Sequence, residues 1–130
     1  MKKRVLVVDD DRNITTYLRT LLEDNGYETT TANDGNEGLG KAREQKPDAI
    51  ALDLLMPKKT GIKLFRELRK DEALRNVPIV VVTGVANEYE TFSNFKKFIY
   101  ERKIPGPEAF LEKPINRDEF IVTIKEVVKT

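Results

Sequence analysis

The side chains that could do chemistry in this chain lie at the ends of short strand-like stretches. They are three consecutive aspartates, one isolated aspartate, a threonine and a lysine: Asp9, Asp10, Asp11, Asp53, Thr83 and Lys113. Clustered carboxylates raise one another's pKa unless a cation intervenes, and Mg²⁺ favours such hard oxygen ligands together with a phosphate. An aspartate can also accept a phosphoryl group as an acyl phosphate. These residue types therefore predict magnesium-assisted phosphoryl transfer, provided that the fold brings them together.

Each of these side chains has a place in such a site. Asp53 is the predicted nucleophile. The Lys113 ammonium supplies a point charge for one phosphate oxygen, and the Thr83 hydroxyl can donate a hydrogen bond to another. Metal, lysine and hydroxyl would together neutralise the charge that builds on the equatorial oxygens during in-line transfer. Asp11, by contrast, is predicted to cap the helix that follows it.

The composition excludes several other kinds of chemistry. The chain has 130 residues, which is the length of one domain. It has no cysteine and no histidine, so thiol nucleophiles, disulfides and histidine-based triads are excluded. Its 23 basic and 22 acidic side chains leave a net charge of +1, which predicts no direct nucleic-acid partner and no membrane partner. Because no signal-like or membrane-spanning stretch is found, we expect a cytoplasmic protein.

Short apolar runs alternate with helical patterns along the whole chain. The predicted strands cover residues 5–8, 27–32, 49–52, 79–82 and 109–112, and a helix is predicted after each of them. Two glycines weaken the second of these helical patterns, at 36–45. Five strand–helix repeats require parallel strands with right-handed crossovers. Because ligands bind at the carboxyl ends of such strands, the chemical side chains are expected at one edge of the sheet.

A resemblance to a known family is carried by four segments: VLVVDDD at 5–11, LDLLMPKKTG at 52–61, VVVTG at 80–84 and FLEKPI at 110–115. In this order and at strand ends, they resemble the receiver domain of two-component response regulators. The resemblance covers almost the whole chain, so we expect residues 1–130 to form a single α/β domain. Its expected core is a doubly wound, five-stranded parallel sheet in the flavodoxin-like order 2-1-3-4-5, with helices on both faces.

The resemblance implies a role for each residue of the acidic site. Asp53 matches the phosphoacceptor, which is also a metal ligand. Asp10 matches a direct ligand of Mg²⁺, and Asp9 matches a ligand that acts mainly through water. The backbone carbonyl of Leu55 matches the third protein ligand of the metal. A receiver of this kind takes its phosphoryl group from a partner, and we do not expect it to be an enzyme.

The resemblance also implies a switch. Thr83 matches the switch hydroxyl, Lys113 the phosphate-binding lysine, and Phe110 the aromatic side chain whose rotamer follows phosphorylation. The peptide bond between Lys113 and Pro114 is expected to be cis. Output is expected through the face formed by the fourth helix, the fifth strand and the fifth helix, to a partner that the sequence does not identify.

The sequence also limits the possible phosphoryl donors and predicts which segment forms the partner surface. Because the chain has no histidine, the phosphoryl group must come from another protein or from a small acyl phosphate. The resemblance implies that the protein donor is a histidine kinase or a phosphotransfer protein. The interval from Thr83 to Lys113 is longer than is usual in the family, which predicts an enlarged fourth helix and loop at about 87–107. This enlargement indicates an altered partner or a nonstandard homodimer. The basic pairs at 96–97 and 102–103 are predicted to form the solvated face of that helix.

Two other functions remain open at the level of sequence. A constitutive adaptor would keep the fold without the chemistry, and the complete set of acidic, hydroxyl and lysine side chains argues against it. A Mg²⁺-dependent phosphatase with an aspartyl-phosphate intermediate usually has a second aspartate two residues after the nucleophile, where this chain has Leu55.

Overall fold

The computed structural model describes residues 2–54, 61–84 and 89–128, with the backbone alone for 83 and 89–94. Five strands alternate with five helices in the described part, as the sequence predicts. In chain order they are β1 (Arg4–Val8), α1 (Arg12–Asp24), β2 (Glu28–Ala32), α2 (Gly35–Gln45), β3 (Ala49–Asp53), α3 (Gly61–Lys70), β4 (Ile79–Gly84), α4 (Tyr89–Arg102), β5 (Ala109–Lys113) and α5 (Arg117–Val128). None of the helices within these ranges has the length and apolarity needed to cross a bilayer.

The strands form one parallel sheet in the order β2-β1-β3-β4-β5. The predicted strand order and fold class are therefore confirmed. The register aligns the carboxyl ends of the strands: Val8 lies opposite Leu52, and Gly84 lies opposite Lys113. The residues at and just after the ends of β1, β3 and β5 consequently share one edge of the sheet.

The hydrophobic core lies in two layers, one on each face of the sheet. Successive residues of a strand point to opposite faces, so Val5 and Val7 belong to one layer, and Leu6 and Val8 belong to the other. Helices α1 and α5 cover the first layer, and α2, α3 and α4 cover the second. Because both faces are covered, the central strands are continuous apolar runs rather than alternating ones.

Helix α2 forms although it contains two glycines within its interior. Asp34 caps its first turn by accepting a hydrogen bond from the Glu37 N–H at 2.9 Å. At Gly38, an added Cβ would lie 3.1 Å from side-chain atoms of both Leu64 and Val8. The glycine therefore lets α2 pack close against β1 and α3, and tertiary packing outweighs its low helix propensity.

The carboxyl end of α4 is closed by a specific turn. Lys103 has a φ of 54°, in the left-handed region. Its N–H donates to the Tyr100 carbonyl at 3.3 Å, and the Ile104 N–H donates to the Ile99 carbonyl at 3.1 Å. This pair of bonds is a Schellman motif, with Ile99 and Ile104 at the positions that usually make its hydrophobic contact. The helix thus ends before Pro105, whereas the greater length of 83–113 relative to the family stays a prediction.

Candidate functional site

Three carboxylates meet at the carboxyl edge of the sheet. Asp9 and Asp10 directly follow β1, and Asp53 is the last residue of the neighbouring strand β3. One oxygen from each of the three lies within 4.8 Å of the other two. Asp9 and Asp53 are only 3% and 4% exposed, whereas Asp10 is exposed. The convergence expected from the sequence is therefore present.

The ammonium group of Lys113 enters this cluster from β5. The Nζ of Lys113 lies 3.2 Å from Oδ2 of Asp9 and 3.5 Å from Oδ2 of Asp53. Strand β4 separates β5 from β3, so the Lys113 and Asp53 side chains together close a backbone separation of about 10 Å, or two strand spacings. The long lysine side chain brings a point charge to both buried carboxylates.

Burial and the neighbouring charged groups have opposite effects on the pKa values of Asp9 and Lys113. Burial raises the pKa of the Asp9 carboxyl, while the Asp11 N–H and the Lys113 ammonium act in the opposite direction. Burial would lower the pKa of Lys113, but the negative charges of Asp53 and Asp9 outweigh it, so that this pKa is raised. Among the described residues, three carboxylates thus lie close together around the Lys113 ammonium, and their mutual repulsion favours a further cation.

The donor set fits a hard divalent cation. Every candidate ligand among the described residues of the cluster is a carboxylate oxygen, the donor type that Mg²⁺ and Ca²⁺ prefer. The backbone holds one of them in place, because the Asp11 N–H donates to Oδ1 of Asp9 at 2.9 Å. Asp11 itself accepts from the Asn13 N–H and caps α1, as predicted.

The family follows from a comparison of the whole chain with known proteins. The model of the response regulator receiver domain matches residues 5–125.

This chain belongs to that family.

Among curated relatives, the receiver domain is 35% identical over 127 residues to the polar-differentiation response regulator DivK of Brucella anthropi, covering 96% of this chain and 95% of DivK. It is 33% identical over 129 residues to the alkaline phosphatase synthesis transcriptional regulatory protein PhoP of Bacillus subtilis. That match covers 99% of this chain but 50% of PhoP, so the chain spans about half the length of that relative.

Solved structures agree with this assignment. A CheY-like receiver domain from Methanospirillum hungatei superposes with a TM-score of 0.84 at 28% identity, covering 98% of this chain and 94% of that one. The chemotaxis response regulator CheY4 of Vibrio cholerae superposes with a TM-score of 0.82 at 30% identity, covering 98% and 99% of the two chains.

One residue that sequence reasoning missed is Gly61, which opens α3. Its N–H donates to the Leu54 carbonyl at 2.8 Å. A Cβ at this position would lie 1.9 Å from the Asp53 carbonyl oxygen and 2.6 Å from the Leu54 Cα. The helix therefore begins in direct contact with the backbone of Asp53. The available signal was a glycine at the point where the polar residues 57–60 give way to a helical pattern.

Of the other predicted site residues, the structure describes some completely and others only in part or not at all. Leu55 lies outside the described residues, and so does the side chain of Thr83, whose backbone pairs with Glu112 in the β4–β5 ladder. Phe110 is 37% exposed, and its ring packs edge-on against Phe95 with centroids 6.2 Å apart. The bond between Lys113 and Pro114 is cis, as the resemblance implied.

Replacing Lys113 with glutamine is expected to destabilise the receiver domain by about 2 kcal/mol at neutral pH. The variant leaves Asp9 and Asp53 buried without their shared cation. Because the folded pKa of Lys113 is raised, its stabilising contribution is complete at neutral pH. That contribution is lost only as the pH rises through the folded value. Urea unfolding followed by circular dichroism measures the change.

Lys3→Gln is the matched control, because Lys3 is exposed and precedes the sheet. Added Mg²⁺ should stabilise Lys113→Gln more than the wild type, since the competing ammonium is gone. An unfolding free energy equal to that of the wild type would contradict the bridging role of Lys113.

Proposed function

We propose that this receiver domain accepts a phosphoryl group on Asp53 in the presence of Mg²⁺ and passes the signal on through the face formed by α4, β5 and α5. One observation carries the proposal. The buried carboxylate of Asp53 lies within 4.8 Å of the Asp9 and Asp10 carboxylates and 3.5 Å from the Lys113 ammonium. A buried, positioned carboxylate beside a cation is what attack on phosphorus requires.

Four groups would hold the metal ion. They are the carboxylates of Asp9, Asp10 and Asp53 and, by resemblance, the backbone carbonyl of Leu55. When bound, Mg²⁺ supplies the positive charge that stabilises the phosphate oxygens during transfer. Its positive charge would also offset the mutual repulsion of the three carboxylates.

The transfer itself is carried by Asp53. One carboxylate oxygen attacks the phosphorus of a phosphohistidine, the P–N bond breaks, and the imidazole leaves with the bonding electron pair. The product is an acyl phosphate on Asp53. The donor is a histidine kinase or a phosphotransfer protein, and acetyl phosphate can replace it by loss of acetate. Because the phosphoryl group stays on the chain, this receiver is a signalling substrate and not an enzyme.

The new phosphate would then reorganise its surroundings. Lys113, which contacts two carboxylates before transfer, becomes a partner of the phosphate. Thr83 donates its hydroxyl to another phosphate oxygen. Phe110, about one-third exposed beside Phe95, changes its rotamer and shifts the population of surfaces that a partner meets.

Incubation with acetyl phosphate tests the proposal directly. With Mg²⁺, intact-protein mass spectrometry is expected to show the gain of one phosphoryl group that hydroxylamine removes. With EDTA in place of Mg²⁺, the gain should fall to background. Absence of labelling at saturating acetyl phosphate and Mg²⁺ would contradict the proposal and favour the adaptor function, in which the fold carries no chemistry.

A further inference from the structure

Strand β2 forms one edge of the sheet, with β1 as its neighbour on the inner side. In a parallel pair, alternate residues of an edge strand bond to the neighbouring strand. The Glu28 N–H and the Ala32 carbonyl both bond to backbone groups next to the ends of β1. The backbone N–H and carbonyl groups of Thr29 and Thr31 therefore face away from the sheet. Outward groups of this kind are where a further strand can pair.

The sequence of β2 is suited to pairing with a second copy of itself. Its three central residues are threonines at 29–31, which favour strands and pair well with one another across antiparallel strands. In a two-fold arrangement centred on Thr30, Thr29 of each copy would lie opposite Thr31 of the other. The two residues of each such pair would exchange two backbone hydrogen bonds, and one of them would end on the Thr31 carbonyl.

The Thr31 carbonyl already has a partner in Lys41 of α2. The Nζ of Lys41 donates a hydrogen bond to this oxygen. Oε2 of Glu37, one turn earlier on α2, lies 3.6 Å from the same Nζ. Oε1 of Glu37 in turn accepts from the Asn33 N–H at 2.6 Å, just after the end of β2. The ammonium is therefore held at the edge of the sheet, and an added strand would have to displace it.

Arg19 of α1 contacts the same threonine from the opposite face of the sheet. Its Nη2 donates to Oγ1 of Thr31 at 3.4 Å, whereas Lys41 belongs to a helix that covers the other face. In the two-fold pair, two residues of strand, or about 7 Å, would separate the Thr31 residues of the two copies. The positive charges beside them would consequently approach one another. Charged side chains at an edge strand oppose association of sheet edges.

We propose that Lys41 and Arg19 prevent β2 from pairing with a second copy of this chain. Lys41 occupies the carbonyl that the pair would use, Arg19 occupies the neighbouring hydroxyl, and their charges repel those of the second copy. Without these two side chains, β2 would become a dimer interface that continues the sheet from one copy into the other. The contacts belong to α1, α2 and β2, so this proposal goes beyond the proposed function and does not rest on it.

The double variant Arg19→Ala/Lys41→Ala tests the proposal, since alanine preserves both helices. Sedimentation equilibrium is expected to show a dimer whose dissociation constant is roughly tenfold or more below that of the wild type, because the Thr31 carbonyl of each copy becomes available. Hydrogen exchange followed by NMR should show that the Thr29 and Thr31 amides become protected as the concentration of the variant rises. In the wild type, their exchange should not depend on protein concentration.

Two further variants serve as controls. Arg12→Ala/Lys70→Ala makes the same change in net charge at exposed side chains outside β2, and it should associate as the wild type does. Addition of Thr29→Pro to the double variant should restore the monomer. Proline removes an N–H that faces away from the sheet and leaves the hydrogen bonds between β2 and β1 in place.

Several results would overturn the proposal. They are equal association of the double variant and the wild type, a dimer in which the Thr29 and Thr31 amides stay unprotected, and a dimer that survives Thr29→Pro. Protection of these amides that rises with concentration in the wild type would show that the edge is not blocked, and this measurement requires no variant. Labelling by acetyl phosphate should be the same in the wild type and the double variant, so a failure of labelling in both would contradict the proposed function alone.

Discussion

Replacing Asp53 with asparagine is expected to reduce labelling by acetyl phosphate and Mg²⁺ to background while the protein stays folded. The amide has nearly the same shape as the carboxylate, but it cannot form an acyl phosphate. Folding should be preserved because the variant removes one of three crowded carboxylates and leaves Lys113 paired with Asp9. Intact-protein mass spectrometry measures the labelling, and circular dichroism measures the fold.

The geometry explains why neighbouring carboxylates should not replace Asp53. Oδ1 of Asp9 accepts a hydrogen bond from the Asp11 N–H at 2.9 Å, which holds this carboxylate in the position of a metal ligand in the proposed mechanism. Asp10 is exposed and is not held in a near-attack position by burial. The effect is therefore expected to be a complete loss of transfer and not a shift to a second site.

Asp24→Asn is the matched control, because Asp24 is exposed at the end of α1. It should be labelled to the same extent as the wild type. Labelling of Asp53→Asn at the wild-type level would overturn the assignment of the acceptor. A phosphorylated peptide containing Asp9 or Asp10 would identify the true acceptor.

Replacing Gly61 with alanine is expected to lower the free energy of unfolding by about 3 kcal/mol or more. The added Cβ would lie 1.9 Å from the Asp53 carbonyl oxygen and 2.8 Å from the Asp53 carbonyl carbon. Both are backbone atoms, so no side-chain rotation can relieve the overlap. The start of α3 or the end of β3 has to move, and the hydrogen bond from Gly61 to Leu54 weakens. Urea unfolding gives the change.

Gly40→Ala provides the contrasting glycine variant. An added Cβ at this position, which is exposed within α2, meets no atom within 4 Å. Alanine should therefore stabilise the protein by about 0.5–1 kcal/mol through helix propensity. Equal stability changes in the two variants would show that the contact with Asp53 is not tight. Where Gly61→Ala still folds, its labelling by acetyl phosphate should be slower, because the backbone of Asp53, the proposed acceptor, is displaced.

The alternation of strands and helices could be predicted from the chain alone, but its boundaries could not. The β-branched run at 5–8 predicts a strand, yet β1 begins at Arg4 because this residue pairs with Glu28 in the parallel ladder. Tyr27 has the residue type of a strand, and β2 nevertheless begins after it. Strand ends depend on which neighbour supplies hydrogen bonds, and that neighbour is remote in sequence.

Helix α2, which contains Gly38 and Gly40, is a second feature that the sequence alone does not predict well. Helix propensity argues against a helix at these positions, and the approach of α2 to Leu64 and Val8 explains why Gly38 is accommodated.

The buried position of Arg69 is harder still to predict from the sequence. In the sequence it is one charge on the predicted third helix, which would ordinarily be exposed. Only the fold brings four carbonyls and a carboxylate around its guanidinium.

By itself, the sequence determined the order of the elements, the parallel sheet and the types of side chain at its carboxyl edge. These follow from local periodicity and from the rule that parallel strands end together. The tertiary structure alone decided that the Lys113 ammonium lies between Asp9 and Asp53, that Gly61 contacts the backbone of Asp53, and that the buried Arg69 side chain binds the Gly106 carbonyl. Each of these contacts joins residues far apart in the chain, so its distance is set by packing and not by any local pattern.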